Sequence, residues 1–238
     1  MKKLLVLLVS IISLSAFAQD TKVINDANAT ARNVGGSFTA INVSSGVELY
    51  LTQGSEESVA VSASEQKYLD RLKTEVVNGT LKIYFDNKGM TWKSGSRKLK
   101  AYVSFKTLAR LDVSSGSAVS VNGSIQSDKL DMDVSSGAQF TGAIHVKELN
   151  ADVSSGAGIK VSGDAGKLKV DVSSGADFKG YDFAVDYCNA SASSGAAVHI
   201  TINKELSAKA SSGGDIKYKG EGLIRDIKTS SGGAVKKA

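Results

Sequence analysis

From residue 108 onward, apolar and polar residues alternate with a period of two. Leu130, Met132 and Val134 alternate with polar neighbours, as do Leu149, Ala151 and Val153, then Leu168, Val170 and Val172. Cys188, Ala190 and Ala192, then Leu206, Ala208 and Ala210, keep the pattern with smaller side chains. Each run leads into Ser-Ser-Gly, and alternation resumes beyond it, as in Ala157, Ile159 and Val161 or Ala196, Val198 and Ile200. This period predicts half-buried strands, two per repeat, with the glycine turning the corner between them. A second corner is expected near Gly123, Gly142, Gly163, Gly180 and Gly220.

Ser-Ser-Gly occurs eight times, beginning at Ser44, Ser114, Ser135, Ser154, Ser173, Ser193, Ser211 and Ser230. From Ser114 the intervals are 21, 19, 19, 20, 18 and 19 residues. Two strands and two turns in so short a unit cannot close a core alone, but stacked units can. Antiparallel hairpins would reverse alternate copies, so identical motifs would not stack. The expected fold is therefore all-β, a parallel β-helix (β-solenoid) with rungs of about 19 residues spaced roughly 4.8 Å apart. A six-residue aliphatic repeat of the left-handed kind is missing, which favours the right-handed form.

Stacking converts sequence columns into ladders. By parity, the second serine of each triplet points inward, so Ser115, Ser136, Ser155, Ser174, Ser194, Ser212 and Ser231 are expected to form a buried hydroxyl ladder. Gly137, Gly156 and Gly175 are expected to stack so closely that a side chain on one crowds the next. Outside, Lys129, Glu148, Lys167, Tyr187 and Glu205 form a column in which opposite charges meet and help fix register. Asp112, Asp133, Asp152 and Asp171 form an acidic column, and Lys160, Lys179, His199, Lys217 and Lys236 a basic one. Either the aspartates bond nearby turn backbone, or they gather a divalent cation or a cationic partner. An oxygen-rich metal site asks for about six to eight ligands, so no metal or cofactor is assigned. The four aspartates stand as candidate ligand contacts.

Residues 34–107 are β-rich but less regular, and residues 108–238 carry the regular repeat. Strands are expected over Ser37–Val43, Val47–Leu51, Val59–Ala63 and Lys100–Phe105, a helical turn over Glu65–Leu72, and a hairpin about Asn78-Gly79. This region is expected to shield the first rung, because open edges recruit other chains. At the other end, Lys236 and Lys237 place charge against edge pairing.

The N-terminus changes the picture of where the chain works. Lys2 and Lys3 precede an almost wholly apolar stretch, Leu4 to Ala16, and Ala16-Phe17-Ala18 reads as a cleavage site before Gln19. This is the layout of a secretory signal peptide over residues 1–18, followed by a linker over 19–33, and it is short for a membrane span. No cysteine stands nearby to carry a lipid anchor. The expected location is the periplasm, the outer-membrane surface or the medium, with no stable membrane span after cleavage. Composition agrees with a stack of paired strands, since proline, which removes a ladder donor, is missing. The single cysteine, Cys188, excludes an internal disulfide. A net charge of +5, in dispersed basic residues, gives no footprint for nucleic acid.

Phe38-x-x-Ile41-x-Val43-Ser44-Ser45-Gly46-Val47, then Asn78-Gly79-Thr80-Leu81-x-Ile83, and then the Ser-Ser-Gly rungs resemble the GIN-domain family. The resemblance covers nearly all of residues 34–235. It implies a β-helical adhesin head of the auto-transporter type, common in Bacteroidota, with a surface or periplasmic role. The family's corner is often Gly-Ser-Gly, and here it is Ser-Ser-Gly. It has no assigned catalytic residues to carry over.

Residues that suggest chemistry read better as structure. His145 and His199 fall on different rungs, away from any acid–base pattern. Cys188 occupies a column otherwise held by Leu130, Leu149, Leu168 and Leu206, and reads as core. Trp92, in a polar loop with Lys88, Lys93, Arg97 and Lys98, either grips a sugar or acidic partner or folds back on the first rung. The reading is a non-catalytic binding or adhesion module that contacts a cell-surface protein or glycan, with a homo-oligomer compatible. A polysaccharide lyase or hydrolase is the alternative, but short turns leave little material for a cleft.

Overall fold

The computed structural model describes residues 26–90 and 97–238. The irregular N-terminal part contains β1 (Thr30–Arg32), β2 (Ala40–Val43), β3 (Glu48–Gln53), β4 (Ser58–Ser62), the short helix α1 (Gln66–Leu69), β5 (Leu72–Val77), β6 (Thr80–Phe85) and β7 (Lys100–Phe105). The regular part contains β8 (Arg110–Val113), β9 (Ala118–Val134), β10 (Gln139–Val153), β11 (Gly158–Val172), β12 (Asp177–Ala192), β13 (Ala197–Ala210), β14 (Asp215–Lys219), β15 (Leu223–Thr229) and β16 (Ala234–Lys237). Parallel coils of about 19 residues stack into a β-solenoid of about seven turns.

Period-two alternation sets the inside. Leu130, Leu149, Leu168, Cys188 and Leu206 are register partners from β9 to β13, and all are buried. Val119, Phe140, Ile159, Phe178, Val198 and Ile216 make a second buried column. Each large side chain contributes roughly 1.5–3 kcal/mol by leaving water. Volume is balanced within rungs. The rung of β12 buries both Phe178 and Phe183, and across from them its side chains shrink to Cys188, Ala190 and Ala192.

Each rung has three inward segments where two were expected. Ile144 and Val146 in β10, and Phe183 and Val185 in β12, form a short middle face. In β10 the inward parity then breaks, because Leu149, Ala151 and Val153 are the next buried residues. A face with only one or two inward residues shows no alternation in sequence. The bend before it falls where the second corner was expected, at register shifts after Thr141, Lys160 and Gly180.

The corners correct the expected hydroxyl ladder. In each triplet the second serine and the glycine both lie in the left-handed region, as at Ser155 (φ 54°) and Gly156 (φ 70°). The N–H of Ala157 donates to the carbonyl of Ser154 at 3.1 Å, closing a type I′ turn. Two left-handed residues in succession interrupt strand parity, so Ser115, Ser136, Ser155, Ser174, Ser194, Ser212 and Ser231 point outward and are exposed. The corner is stitched by backbone instead: the N–H of each glycine donates to the second serine's carbonyl on the next rung, from Gly46 to Ser115 (3.0 Å) through Gly213 to Ser231 (3.2 Å). The first inward residue is the one after the glycine. There Ser117 takes the place of Ala138, Ala157 and Ala176, and its buried hydroxyl accepts from the Val47 N–H at 3.3 Å. The glycines do not crowd one another either: a Cβ on Gly137, Gly156 or Gly175 would meet no atom within 4 Å.

In the N-terminal part, stacking order departs from chain order. The Ser44-Ser45-Gly46 rung, β2 and β3, lies between β6 and β7 on one side and β8 and β9 on the other, parallel to both. Three antiparallel strands then close that end: β5 on β6, β4 on β7, and β1 on β4. Asp26 pins the closure, accepting from the Ser62 hydroxyl (2.6 Å) and the Tyr102 hydroxyl (2.7 Å).

Candidate functional site

One outward face of the stack carries three parallel columns. The column nearest the corner runs from Lys82 through Asn42, Asp112, Asp133, Asp152, Asp171, Ser191 and Lys209 to Lys228. The structure thus brings the four candidate aspartates into one row on adjacent rungs. Two of them have side-chain partners, where turn backbone was considered from sequence. Arg110 holds Asp112 through Nε (3.0 Å) and Nη2 (2.8 Å), and Lys169 lies 3.5 Å from Asp171. Burial, then the charges of Asp112 and Asp152, pushes the Asp133 carboxyl above the usual carboxylate range. Among the described residues, no group of His, Cys, Asp or Glu is arranged to hold a metal ion.

The outermost column of the same face is Lys129, Glu148, Lys167, Tyr187 and Glu205, in register as expected. Lys129 reaches Glu148 at 3.3 Å, and Glu205 is held by Arg225 at 2.9 Å. Between the two columns run Asp131, Asn150, Lys169, Asn189 and Ser207. Asn150 donates to Asp131 at 2.8 Å. At mid-stack the surface dips into an open depression of about 320 Å³, lined by Glu148, Asn150, Lys167, Lys169, Tyr187 and Asn189 among others. Tyr187 is 47% exposed there, with the Lys204 ammonium 5.5 Å from its ring centre. An aromatic face, amides and both signs of charge around a shallow dip make a surface suited to hydroxyl-rich or charged ligands. Sequence reasoning placed Tyr187 in its column but missed the depression, whose depth depends on how unlike side chains pack across rungs.

The basic column lies on another face. Lys160, Lys179, His199, Lys217 and Lys236 are register neighbours, moderated by Asp177 beside Lys179 (3.8 Å) and Asp215 beside Lys217 (3.1 Å). His199 stacks on Tyr181 at 4.9 Å, and burial, then Lys217, holds its imidazole below the ordinary value. His145, read as isolated, has a carboxylate partner: the 19-residue period brings Asp164 of the next rung against its Nδ1. Cys188 is buried, and burial pushes its thiol up. Trp92 and residues 1–18, read from sequence as a signal peptide, lie outside the described residues. Among the described residues, no helix is long and apolar enough to cross a membrane.

The whole stack has solved relatives. The crystal structure of a "putative adhesin" from Bacteroides fragilis NCTC 9343 superposes with a TM-score of 0.80 at 16% identity, over 90% of this chain and 98% of that one. One of the same description from Parabacteroides merdae ATCC 43184 gives 0.68 at 16% identity, over 90% and 97%. A "putative lipid binding protein" from Parabacteroides distasonis ATCC 8503 gives 0.64 at 19% identity, over 90% and 98%. At such identities these likenesses speak to fold. No curated protein matches the sequence. A family profile matches residues 37–222, from the strand before the first Ser-Ser-Gly corner almost to the last rung, so the chain belongs to the family described as "Putative auto-transporter adhesin, head GIN domain".

Proposed function

We propose that the chain is a non-catalytic, exported adhesion module that presents a rigid solenoid face at the cell envelope and contacts a cell-surface glycan. The observation that carries this reading is the depression around Tyr187, where an exposed ring, two asparagines and charges of both signs sit on a parallel stack. Stacked strands hold the backbone under these groups at fixed spacing, so little backbone entropy is lost on binding. Tyr187 offers a ring face to a sugar's C–H surface, and Lys167, Asn189 and Glu205 offer donors and acceptors to its hydroxyls or carboxylate. The acidic column Asp112, Asp133, Asp152 and Asp171 lies on the same face and extends the contact toward cationic groups. Export is supported by the tripartite N-terminal sequence and by membership of an adhesin family.

The test is a glycan-array and whole-cell binding screen of the purified chain, with product analysis of every polysaccharide bound. Saccharide binding is expected, weakened about tenfold by Tyr187→Ala, with no cleavage. Binding that ignores Tyr187→Ala, or capture of a protein ligand alone, would overturn the glycan reading. Turnover lost on replacing Asp133 or Asp152 by Asn would overturn the non-catalytic one.

A further inference from the structure

The two ends of the solenoid differ. Antiparallel strands β1, β4 and β5 close the N-terminal end, whereas the last rung, β15 and β16, has no strand on its outer side among the described residues. Ile224 and Val235, which continue buried inward columns, are only partly covered there. Ile227, the register partner of buried Ala208, is 41% exposed, and Leu223 is 68% exposed. A terminal rung normally turns a polar face outward.

The two edge strands are guarded differently. In β16 the outer residues Lys236 and Lys237 put like charge on the edge. β15 reads Leu-Ile-Arg-Asp-Ile-Lys-Thr, and its charges balance: Asp226 lies 2.8 Å from Lys228, and Arg225 is bonded to Glu205. Its free backbone groups are fixed by parity. The Ser230 N–H donates inward to the Ala210 carbonyl at 3.1 Å, so the N–H and C=O of Asp226 and Lys228 also turn toward β13, and those of Ile227 and Thr229 turn out.

We infer that β15 is a self-complementary edge through which two copies of this chain join tail to tail about a twofold axis at Ile227. Antiparallel pairing must match outward-turned residues with each other. Pairing centred on Asp226 sets Asp226 against Asp226, and pairing centred on Lys228 sets Lys228 against Lys228; both place like charges opposite one another. Centring on Ile227 makes it a doubly hydrogen-bonded pair with its own copy. It also sets Asp226 opposite Lys228 of the second copy, twice over, and packs the two Ile227 side chains where the core is open. A twofold contact uses the same β15 edge on both copies, so assembly through it stops at two and no fibre grows. This inference stands apart from the ligand at Tyr187: it gives an adhesin pair in which the two Tyr187 sites flank the seam of one double-length stack, each two rungs from its own β15.

The test is mass measurement by light scattering on the purified chain across a concentration series. The wild type is expected to be dimeric, and Asp226→Lys or Lys228→Asp monomeric. The double variant Asp226→Lys with Lys228→Asp is expected to be dimeric again, because the swap restores both pairs. Ile227→Cys supplies a second readout. Its Cα atoms would lie about 5.5 Å apart in the hydrogen-bonded pair, within disulfide reach. It should therefore cross-link under mild oxidation, whereas Leu223→Cys should not. A wild type that is monomeric throughout, a dimer indifferent to the single charge reversals, a double swap that stays monomeric, or preferential cross-linking at Leu223→Cys would each overturn the inference.

Discussion

The backbone N–H of Gly156 donates to the carbonyl of Ser174 at 3.0 Å, joining one Ser-Ser-Gly corner to the next. That bond forms because Ser155 and Gly156 are both left-handed, which turns the glycine's N–H along the stack. The corner therefore needs glycine for its backbone, not for space. Gly156→Ala should cost about 1–2 kcal/mol from conformation alone, since nothing lies within 4 Å of the added Cβ. Gly163→Ala should cost more, because its Cβ would fall 2.2 Å from the Ile144 carbonyl oxygen, a backbone atom that cannot step aside. Denaturant midpoints of the two variants make the comparison, and equal losses would contradict the difference in packing.

The second serine offers a gain. Asn-Gly is the preferred pair for a type I′ turn, and serine tolerates the left-handed region less well. Ser155→Asn should raise stability by a few tenths to about 1 kcal/mol, and Ser155→Val should lower it by about 1–3 kcal/mol. Thermal melts of both variants test this. A stabilising valine would mean that the side chain is buried, as parity counting alone had suggested.

The stack was legible because a fixed interval and period-two alternation are the marks of a parallel ladder, and the columns from Leu130 to Leu206 were readable rung by rung. The serines were misplaced because counting alternate residues through a corner assumes extended backbone, and two left-handed residues break the count. The middle face was hidden because Ile144 and Val146 are too few to show a period. The rung order at the N-terminus, with β2 and β3 between later strands, leaves no sequence trace, since pairing partners there are far apart in the chain. Of the candidate site, the columns were legible and the depression at Tyr187 was not.

Cys188 should resist thiol reagents. It is buried in the leucine column, and burial pushes its thiol further above neutral pH, which keeps the reactive thiolate scarce. Labelling of the native chain is expected to be slow and to become complete on unfolding. Rapid native labelling would mean that β12 opens locally at low cost.

Asp26 and Asp133 should give pH dependences of opposite sign. At Asp26, hydrogen bonds from Ser62, then Tyr102, then the Asn28 N–H hold the carboxyl below its ordinary range. Its contribution is present above the unfolded pKa of about 3.9 and is lost as pH falls through the lower folded value. Asp26→Asn should therefore lower stability at pH 7 by about 1 kcal/mol, less than is usual for bonds to a charged group because the site is solvated, and the deficit should close in acid. At Asp133 the folded pKa is raised, by burial first and then by Asp112 and Asp152. The folded chain then binds the proton more tightly than the unfolded one, so stability falls as pH rises through the shifted value. Asp133→Asn should raise stability at pH 7 by a few tenths to about 1 kcal/mol, and the gain should vanish below pH about 4. Added salt should shrink that gain by screening the column. Denaturant melts of wild type and both variants, at neutral and acid pH, decide the matter: a loss of stability at pH 7 for Asp133→Asn would mean that the acidic column is held by partners stronger than its own repulsion.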